Sequence, residues 1–342
     1  MLPFCTERSV SRSLPSCTGD DRLCNSVAKI YGATCANLSD VNWIATLVED
    51  TGLTRSGVPG QSSDRLYGVE AGHVVNSGGL YQDPRQIALA MIHLGHTLDV
   101  HTYVEYGVWT AWTFTLMSSY LARVGSGSTF RARAIDTVSK RISPDTLALW
   151  PSFNGSFQFE IAWAKGEVRK LTGLARGEEL VDLCFIDACH DYWCARSDYE
   201  RFAPYCRYMM FHDVADFEVL AGDPPWGGVV ALWAQIVTNI DRKRATEFFS
   251  QPGTFPTRYG IGILSPNDKT GNGQTDNWPS SQWKPWQRTG EAWLWDVLCP
   301  PKRSRQGDKC ERRRVAMAEG TFGGEPRFLN STLDYGKHKR RS

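Results

Sequence analysis

From His101 onward the apolar positions of this 342-residue chain change period again and again. Short runs rich in β-branched and aromatic residues read as strands: Thr102–Tyr106, Arg131–Ile135, Gln158–Ala164, Val181–Ile186 and Tyr208–Phe211. Between them lie stretches with helical spacing: Ala111–Arg123, Asp145–Trp150, Glu167–Leu174, and a segment carrying Asp198, Tyr199 and Phe202. Gly228–Asn239 repeats the helical period, and Phe248 and Tyr259–Leu264 suggest two late strands. Such alternation predicts an α/β fold with a mostly parallel sheet and helices on both faces.

Upstream, Pro84–Leu94 predicts a helix with Asp83 as its cap and Pro84 in its first turn. Val41–Glu49 has helical spacing too. Residues 1–40 are rich in Ser, Cys and Arg and read as a mobile arm with a short helix near Leu23–Tyr31. Thr51–Asp64 reads as a loop. After Pro266 the chain turns polar, and residues 301–342 hold 12 Lys and Arg against 5 Asp and Glu. That composition predicts a disordered basic tail. The expected organisation is an arm with helices over 1–77, one α/β domain over 78–265, and a polar, basic extension over 266–342.

Hydrophobic content of 42% and charged content of 22% describe an ordinary globular protein. A net charge of +1 argues against a nucleic-acid partner held by global electrostatics. No run has the apolar length of a membrane span, and Met1–Asp20 has no apolar core of a secretory signal. The expected location is therefore the cytoplasm. The ten cysteines fit no common zinc spacing and read as buried free thiols in a reducing compartment. Asn37-Leu38-Ser39, Asn154-Gly155-Ser156 and Asn330-Ser331-Thr332 match the glycosylation pattern. Without a signal they read as chance matches.

Candidate chemistry lies at the strand ends. Asp187 closes one apolar strand and His212-Asp213 closes the next, with one helix between them. A parallel strand–helix–strand unit puts both carboxyl ends on one edge, where ligands bind in open α/β sheets. Asp187, His190, His212 and Asp213 should therefore converge. Another strand ends in Glu105-Tyr106-Gly107 and leads into a helix, and Asp136 ends the strand after it. There a carboxylate can accept both hydroxyls of a ribose. The turn admits a nicotinamide site, a purely structural role, or an S-adenosylmethionine site. The first would want G-x-G-x-x-G, and bulky Trp109 would crowd a pyrophosphate. The last ligand carries no phosphate there.

Glu105-x-Gly107-x-x-x-Ala111, Asp136, Phe185-Ile186-Asp187-x-x-His190-x-Tyr192 and Phe211-His212-Asp213 together resemble class I S-adenosylmethionine-dependent methyltransferases. They are most similar to the small-molecule O-methyltransferase branch with the macrocin, mycinamicin and catechol enzymes. Gly228-Val229-x-x-Leu232-Trp233 and Tyr259-Gly260-Ile261-Gly262 extend the likeness, which covers about residues 78–265.

The resemblance implies a Rossmann-like, doubly wound sheet. It implies that Glu105 and Gly107 lie by the methionine moiety of the cofactor, with Trp109, Thr110 and Ala111 in the turn beside it. Asp136 falls on the ribose, and Asp187 faces both cofactor and metal. Asp187, His212 and Asp213 fall where relatives hold magnesium, and His190 where they place the general base. Two departures stand out. Ala111 replaces the usual glycine, and His212 replaces a usual acid, so either His212 is not a ligand of the expected magnesium ion or the ion is a softer one such as manganese, iron or zinc. The expected substrate is a hydroxylated small molecule. A metal-dependent hydroxylase of the same fold and a non-catalytic cofactor-binding or nucleic-acid-binding module are the alternatives. Asp223-Pro224-Pro225-Trp226 matches an adenine-methyltransferase signature but follows the wrong strand, so it reads as a rigid turn.

Overall fold

The computed structural model describes residues 17, 21–51, 84–125, 130–136, 142–153, 155–161, 168–172, 180–188, 192–214, 228–240, 242–248 and 260–275. His190, Asp83, the Asp223–Trp226 turn and the basic tail lie outside them.

Seven strands form one sheet: β1 (Thr102–Tyr106), β2 (Phe130–Asp136), β3 (Gly155–Ile161), β4 (Val181–Ile186), β5 (Cys206–His212), β6 (Ala245–Phe248) and β7 (Ile261–Leu264). Their order is β3-β2-β1-β4-β5-β7-β6. β3, β2, β1, β4 and β5 run parallel, while β7 is antiparallel to both its neighbours. The fold is therefore the expected α/β, Rossmann-like, mostly parallel sheet. Connections leave β1 toward β2 on one side and return to β4 on the other, so the order reverses between β1 and β4. A crevice at such a reversal is where open α/β sheets take their ligands.

Alternate residues of each strand feed two cores. One gathers Tyr103, Ala132, Ala134, Leu183, Phe185 and Met210 with α1 (Arg22–Gly32), α2 (Val41–Asp50), α3 (Pro84–His96) and α4 (Trp112–Val124). The other gathers Val104, Ile135, Cys184, Ile186, Met209 and Phe211 with α7 (Tyr192–Phe202) and α8 (Gly228–Thr238). Two short helices, α5 (Pro144–Leu149) and α6 (Val168–Leu171), flank β3 in the chain.

Of residues 1–40, expected as a mobile arm with a short helix near Leu23–Tyr31, the described ones hold that helix as α1, and it packs into the first core beside α2, the helix expected over Val41–Glu49. Leu23, Val27 and Ile30 of α1 and Ile44 and Val48 of α2 are at most 1% exposed. Each such burial stabilises by roughly 1.5–3 kcal/mol. Asp21 starts α1 by accepting the Cys24 N–H at 3.0 Å, and Asp40 starts α2 by accepting the Asn42 N–H at 2.8 Å. Residues 266–275, also expected to be loose, fold back on β5. Gly273 N–H donates to the Cys206 carbonyl at 2.8 Å, and Tyr199 donates to the Gly273 carbonyl at 2.9 Å.

The cysteines differ from expectation. Cys17 bonds Cys24, and Cys184 bonds Cys206. Cys35 and Cys194 are also disulfide-bonded, and no described cysteine is a free thiol. Cys184 and Cys206 lie on neighbouring strands and on one face, with Cα atoms 5.8 Å apart, within bridging range. Sequence spacing carries no such cross-strand information. Among the described residues no helix is long and apolar enough to cross a membrane.

Candidate active site

The site is built on the carboxyl ends of β1, β2, β4 and β5. Gly107 follows β1 with φ +94°, and its N–H donates to the Ile135 carbonyl at 2.8 Å. A Cβ at Gly107 would lie 2.3 Å from the Ala188 Cα and 2.5 Å from the Asp187 carbonyl oxygen. Only glycine lets the ends of β1 and β4 come this close. Asp187 N–H closes the approach by donating to the Tyr106 carbonyl at 2.9 Å.

The turn after Gly107 holds two more left-handed residues, Trp109 (φ 50°) and Ala111 (φ 62°). Non-glycine residues pay roughly 1–2 kcal/mol for such a conformation. This explains why glycine suits position 111 and why alanine is a departure there. Ala111 is fully buried as the N-cap of α4, and offers no side-chain hydrogen bond to it. Backbone strain clustered in one turn is a mark of functional sites. Asp136, at the end of β2, accepts the Trp109 N–H on Oδ2 at 2.9 Å. It thereby fixes the turn from the neighbouring strand. Thr110 lies in the same turn, between the two strained residues.

Glu105 is 1% exposed, on the β1 face that carries Tyr103 and packs against α4. The Tyr103 hydroxyl donates to Glu105 Oε2 and touches Met117 Sδ at 3.9 Å. Burial drives the Glu105 carboxyl well above the usual range. The Tyr103 hydrogen bond pulls the other way, Asp187 and Asp136 raise it further, and His212 opposes them. Burial and the neighbouring carboxylates thus favour the protonated form of Glu105 in the ligand-free protein.

On the other side of the crevice, His212 Nδ1 stands 3.4 Å from Asp187 Oδ1 and 3.1 Å from Asp213 Oδ1. All three side chains are nearly buried, and their ligating atoms lie within 4.8 Å of one another. Burial alone would lower the His212 pKa, but Asp213 and Asp187 outweigh it and hold the imidazole well above its ordinary value. Asp213 has φ 60°, a third strained non-glycine residue at this edge. The expected convergence of Asp187, His212 and Asp213 is thus observed. His190, expected as the base, follows Asp187 by three positions and lies outside the described residues.

Sequence reasoning missed Tyr103, the donor to the buried Glu105. The period of two in β1 puts Tyr103 and Glu105 on one face and could have found it. It also missed Ala188, whose backbone is what Gly107 approaches.

Two chemistries follow from this geometry. The turn over 107–111 with Asp136 offers backbone groups and a carboxylate to a ligand lying across β1 and β2. The Asp187–His212–Asp213 cluster can hold either a proton or a divalent cation.

No family model matches the chain, and no curated protein matches it. Solved structures do. An O-methyltransferase from Bacillus cereus in complex with SAH is 15% identical, covering 70% of this chain and 96% of its own, with a TM-score of 0.39. The O-methyltransferase TomG from Streptomyces achromogenes, involved in tomaymycin synthesis and in complex with SAM, is 15% identical. It covers 54% of this chain and 81% of its own, with a TM-score of 0.41. Aeropyrum pernix fibrillarin with natively bound S-adenosyl-L-methionine is 14% identical over 52% of this chain and 73% of its own, with a TM-score of 0.32. Similarity at this level says nothing about activity.

Proposed function

We propose that this chain is an S-adenosylmethionine-dependent methyltransferase that methylates a hydroxyl oxygen of a small molecule with the help of a divalent metal. One observation supports this above all. The strained turn at 107–111, tied to Asp136, and the Asp187–His212–Asp213 cluster flank one reversal of strand order. That adjacency supports a cofactor site beside an acceptor site.

The residues divide the work. Gly107 leaves the end of β1 bare of side chain, so a ligand can approach its backbone. Asp136 spends one oxygen on the Trp109 N–H and is positioned for a ribose hydroxyl. Glu105 faces the region expected for the methionine ammonium, and a cation there would draw its proton off. The buried surroundings strengthen each of these electrostatic contacts. In-line contact between acceptor oxygen and sulfonium methyl then supplies much of the rate.

Two carboxylates and an imidazole fit a divalent ion of the manganese, iron or zinc type better than magnesium. Asp187, His212 and Asp213 would hold it. When bound, such an ion lowers the pKa of a coordinated hydroxyl. His190 is the residue proposed to take the hydroxyl proton, since an imidazole titrates near working pH. A metal-free reading has one observation in its favour: His212 Nδ1 stands 3.4 Å from Asp187 and 3.1 Å from Asp213, and a proton held there would offset one of the two carboxylate charges.

Calorimetric titration with S-adenosylmethionine, with and without manganese or zinc, tests the proposal. S-adenosylhomocysteine release is then followed across a panel of phenolic and sugar hydroxyl acceptors. Binding of the cofactor with turnover abolished by chelator supports the full scheme. Turnover indifferent to chelator removes the metal, and binding of NAD in place of S-adenosylmethionine removes the methyltransferase.

A further inference from the structure

We propose that Asn37 carries an N-linked glycan, and that the chain matures in an oxidising compartment. The proposal stands apart from the methyltransferase reading. Two independent observations carry it.

The first is the state of the cysteines. Cys17, Cys24, Cys35, Cys184, Cys194 and Cys206 are all disulfide-bonded, and none among the described residues is free. Disulfides of this number persist in secreted proteins and in the lumen of the secretory pathway, and are rare in the cytosol. Cytoplasmic location was expected because no apolar signal core precedes Asp20. The bonded cysteines weigh more, because cross-strand pairing is a property of the folded chain. Each bond removes two electrons and two protons from a pair of thiols, which a protein-disulfide oxidant of that compartment accepts.

The second is the geometry of Asn37-Leu38-Ser39, a 3-10 turn between α1 and α2. Leu38 is fully buried, and its carbonyl accepts the Tyr120 hydroxyl at 2.6 Å and lies 3.2 Å from His96 Nε2. Asn37 is half-buried. Its Oδ1 accepts from the Thr34 hydroxyl at 2.6 Å, and its own N–H donates to the Thr34 Oγ at 3.2 Å. Its Nδ2 makes no hydrogen bond within the described residues. The oxygen is thus held by exposed Thr34 while the nitrogen stays available. A glycan on Nδ2 would keep every hydrogen bond of the turn.

The reaction balances simply. The Asn37 amide nitrogen attacks C1 of a sugar linked by diphosphate to a polyprenol. The C1–N bond forms, the C1–O bond to the diphosphate breaks, the nitrogen gives up one proton, and polyprenyl diphosphate leaves. The glycan would not cover the site. Tyr120 lies eight residues beyond Trp112 in α4, about 12 Å further from the carboxyl edge of the sheet at 1.5 Å per residue.

The test uses the full chain isolated from its natural source. Unreduced protein is alkylated and peptide-mapped, and a second sample is treated with peptide-N-glycosidase in heavy-oxygen water. The expected result is no alkylation at Cys17, Cys24, Cys184 or Cys206, and a heavy-labelled aspartate at position 37. Asn37→Gln and Ser39→Ala, expressed through the secretory pathway, should each lose the same glycan mass. A bare Asn37 in a fully bonded chain overturns the glycan, and alkylated cysteines overturn the compartment. Neither outcome bears on cofactor binding, which the calorimetric titration reads separately.

Discussion

His212 Nδ1 lies 3.4 Å from the Asp187 carboxylate, so the last residue of β5 and the residue after β4 are joined along one side of the crevice. With Asp213 at 3.1 Å on the same nitrogen, the two carboxylates favour the protonated imidazole in the metal-free protein. A metal and this proton then compete for one position. Metal affinity should rise with pH, and binding should release a proton. Manganese or zinc titrations in two buffers of different ionisation enthalpy check this. Equal heats in both buffers would show that His212 is not displaced from its proton.

The same pair sets a stability trend. The His212 pKa is raised in the folded state. Its contribution is therefore fully present below the ordinary histidine pKa of about 6.5 and is lost as pH climbs through the raised value. Asp187→Asn should flatten that part of the melting-temperature profile of the metal-free protein. An unchanged profile would assign the trend to other groups.

Asp198 gives a slope of the same sign in a lower pH window. It is 4% exposed on α7, and its pKa is pushed up to about 7 by burial, with Arg201 only partly opposing. A carboxyl raised from 3.8 to about 7 binds more protons folded than unfolded between those values. Stability therefore falls as pH rises from about 4 to 7, by about 4 kcal/mol in all. Asp198→Asn should remove this loss and raise the melting temperature at pH 7.5 and above. A variant less stable than wild type at that pH would contradict the assignment.

The disulfide between β4 and β5 ties together the two strands that carry Asp187 and His212. It closes a loop with a sequence separation of 22, for which chain entropy gives about 3 kcal/mol. Replacing Cys184 and Cys206 together by alanine should cost that much in denaturant unfolding. A loss under 1 kcal/mol would mean that strand pairing alone sets the register.

These elements were not equally legible in the sequence. Val181–Ile186 and Thr102–Tyr106 announced themselves because a buried parallel strand is a short apolar run bounded by polar residues. Asp187, His212 and Asp213 could be placed together because parallel strands with one helix between them share an edge. The reversal of β7 was not legible, since the apolar run Tyr259–Leu264 has no direction. The packing of Leu23 and Ile30 against α4 was hidden by the Ser- and Arg-rich residues around them. The left-handed Trp109 and Ala111 were hidden because neither residue type favours that conformation. Cysteine pairing was hidden because pairing is a matter of fold, which spacing does not encode.

Asp136 has two tasks in this scheme, and two substitutions separate them. Its Oδ2 accepts the Trp109 N–H at 2.9 Å and so holds the strained turn over Gly107. The carboxylate is also the proposed partner of the cofactor's ribose. Asp136→Ala removes both functions. It should weaken S-adenosylmethionine binding by about 1.5–3 kcal/mol, the scale of hydrogen bonds to a charged group, and lower the melting temperature as the turn loses its acceptor. Asp136→Asn keeps an amide oxygen for Trp109 but removes the charge and one acceptor. It should weaken cofactor binding while leaving the melting temperature within about 2 °C of wild type, since under 1 kcal/mol is then lost. Calorimetry and thermal unfolding on the same samples read the two effects apart. If Asp136→Asn binds S-adenosylmethionine as tightly as the wild type, Asp136 is a support of the turn and the ribose lies elsewhere.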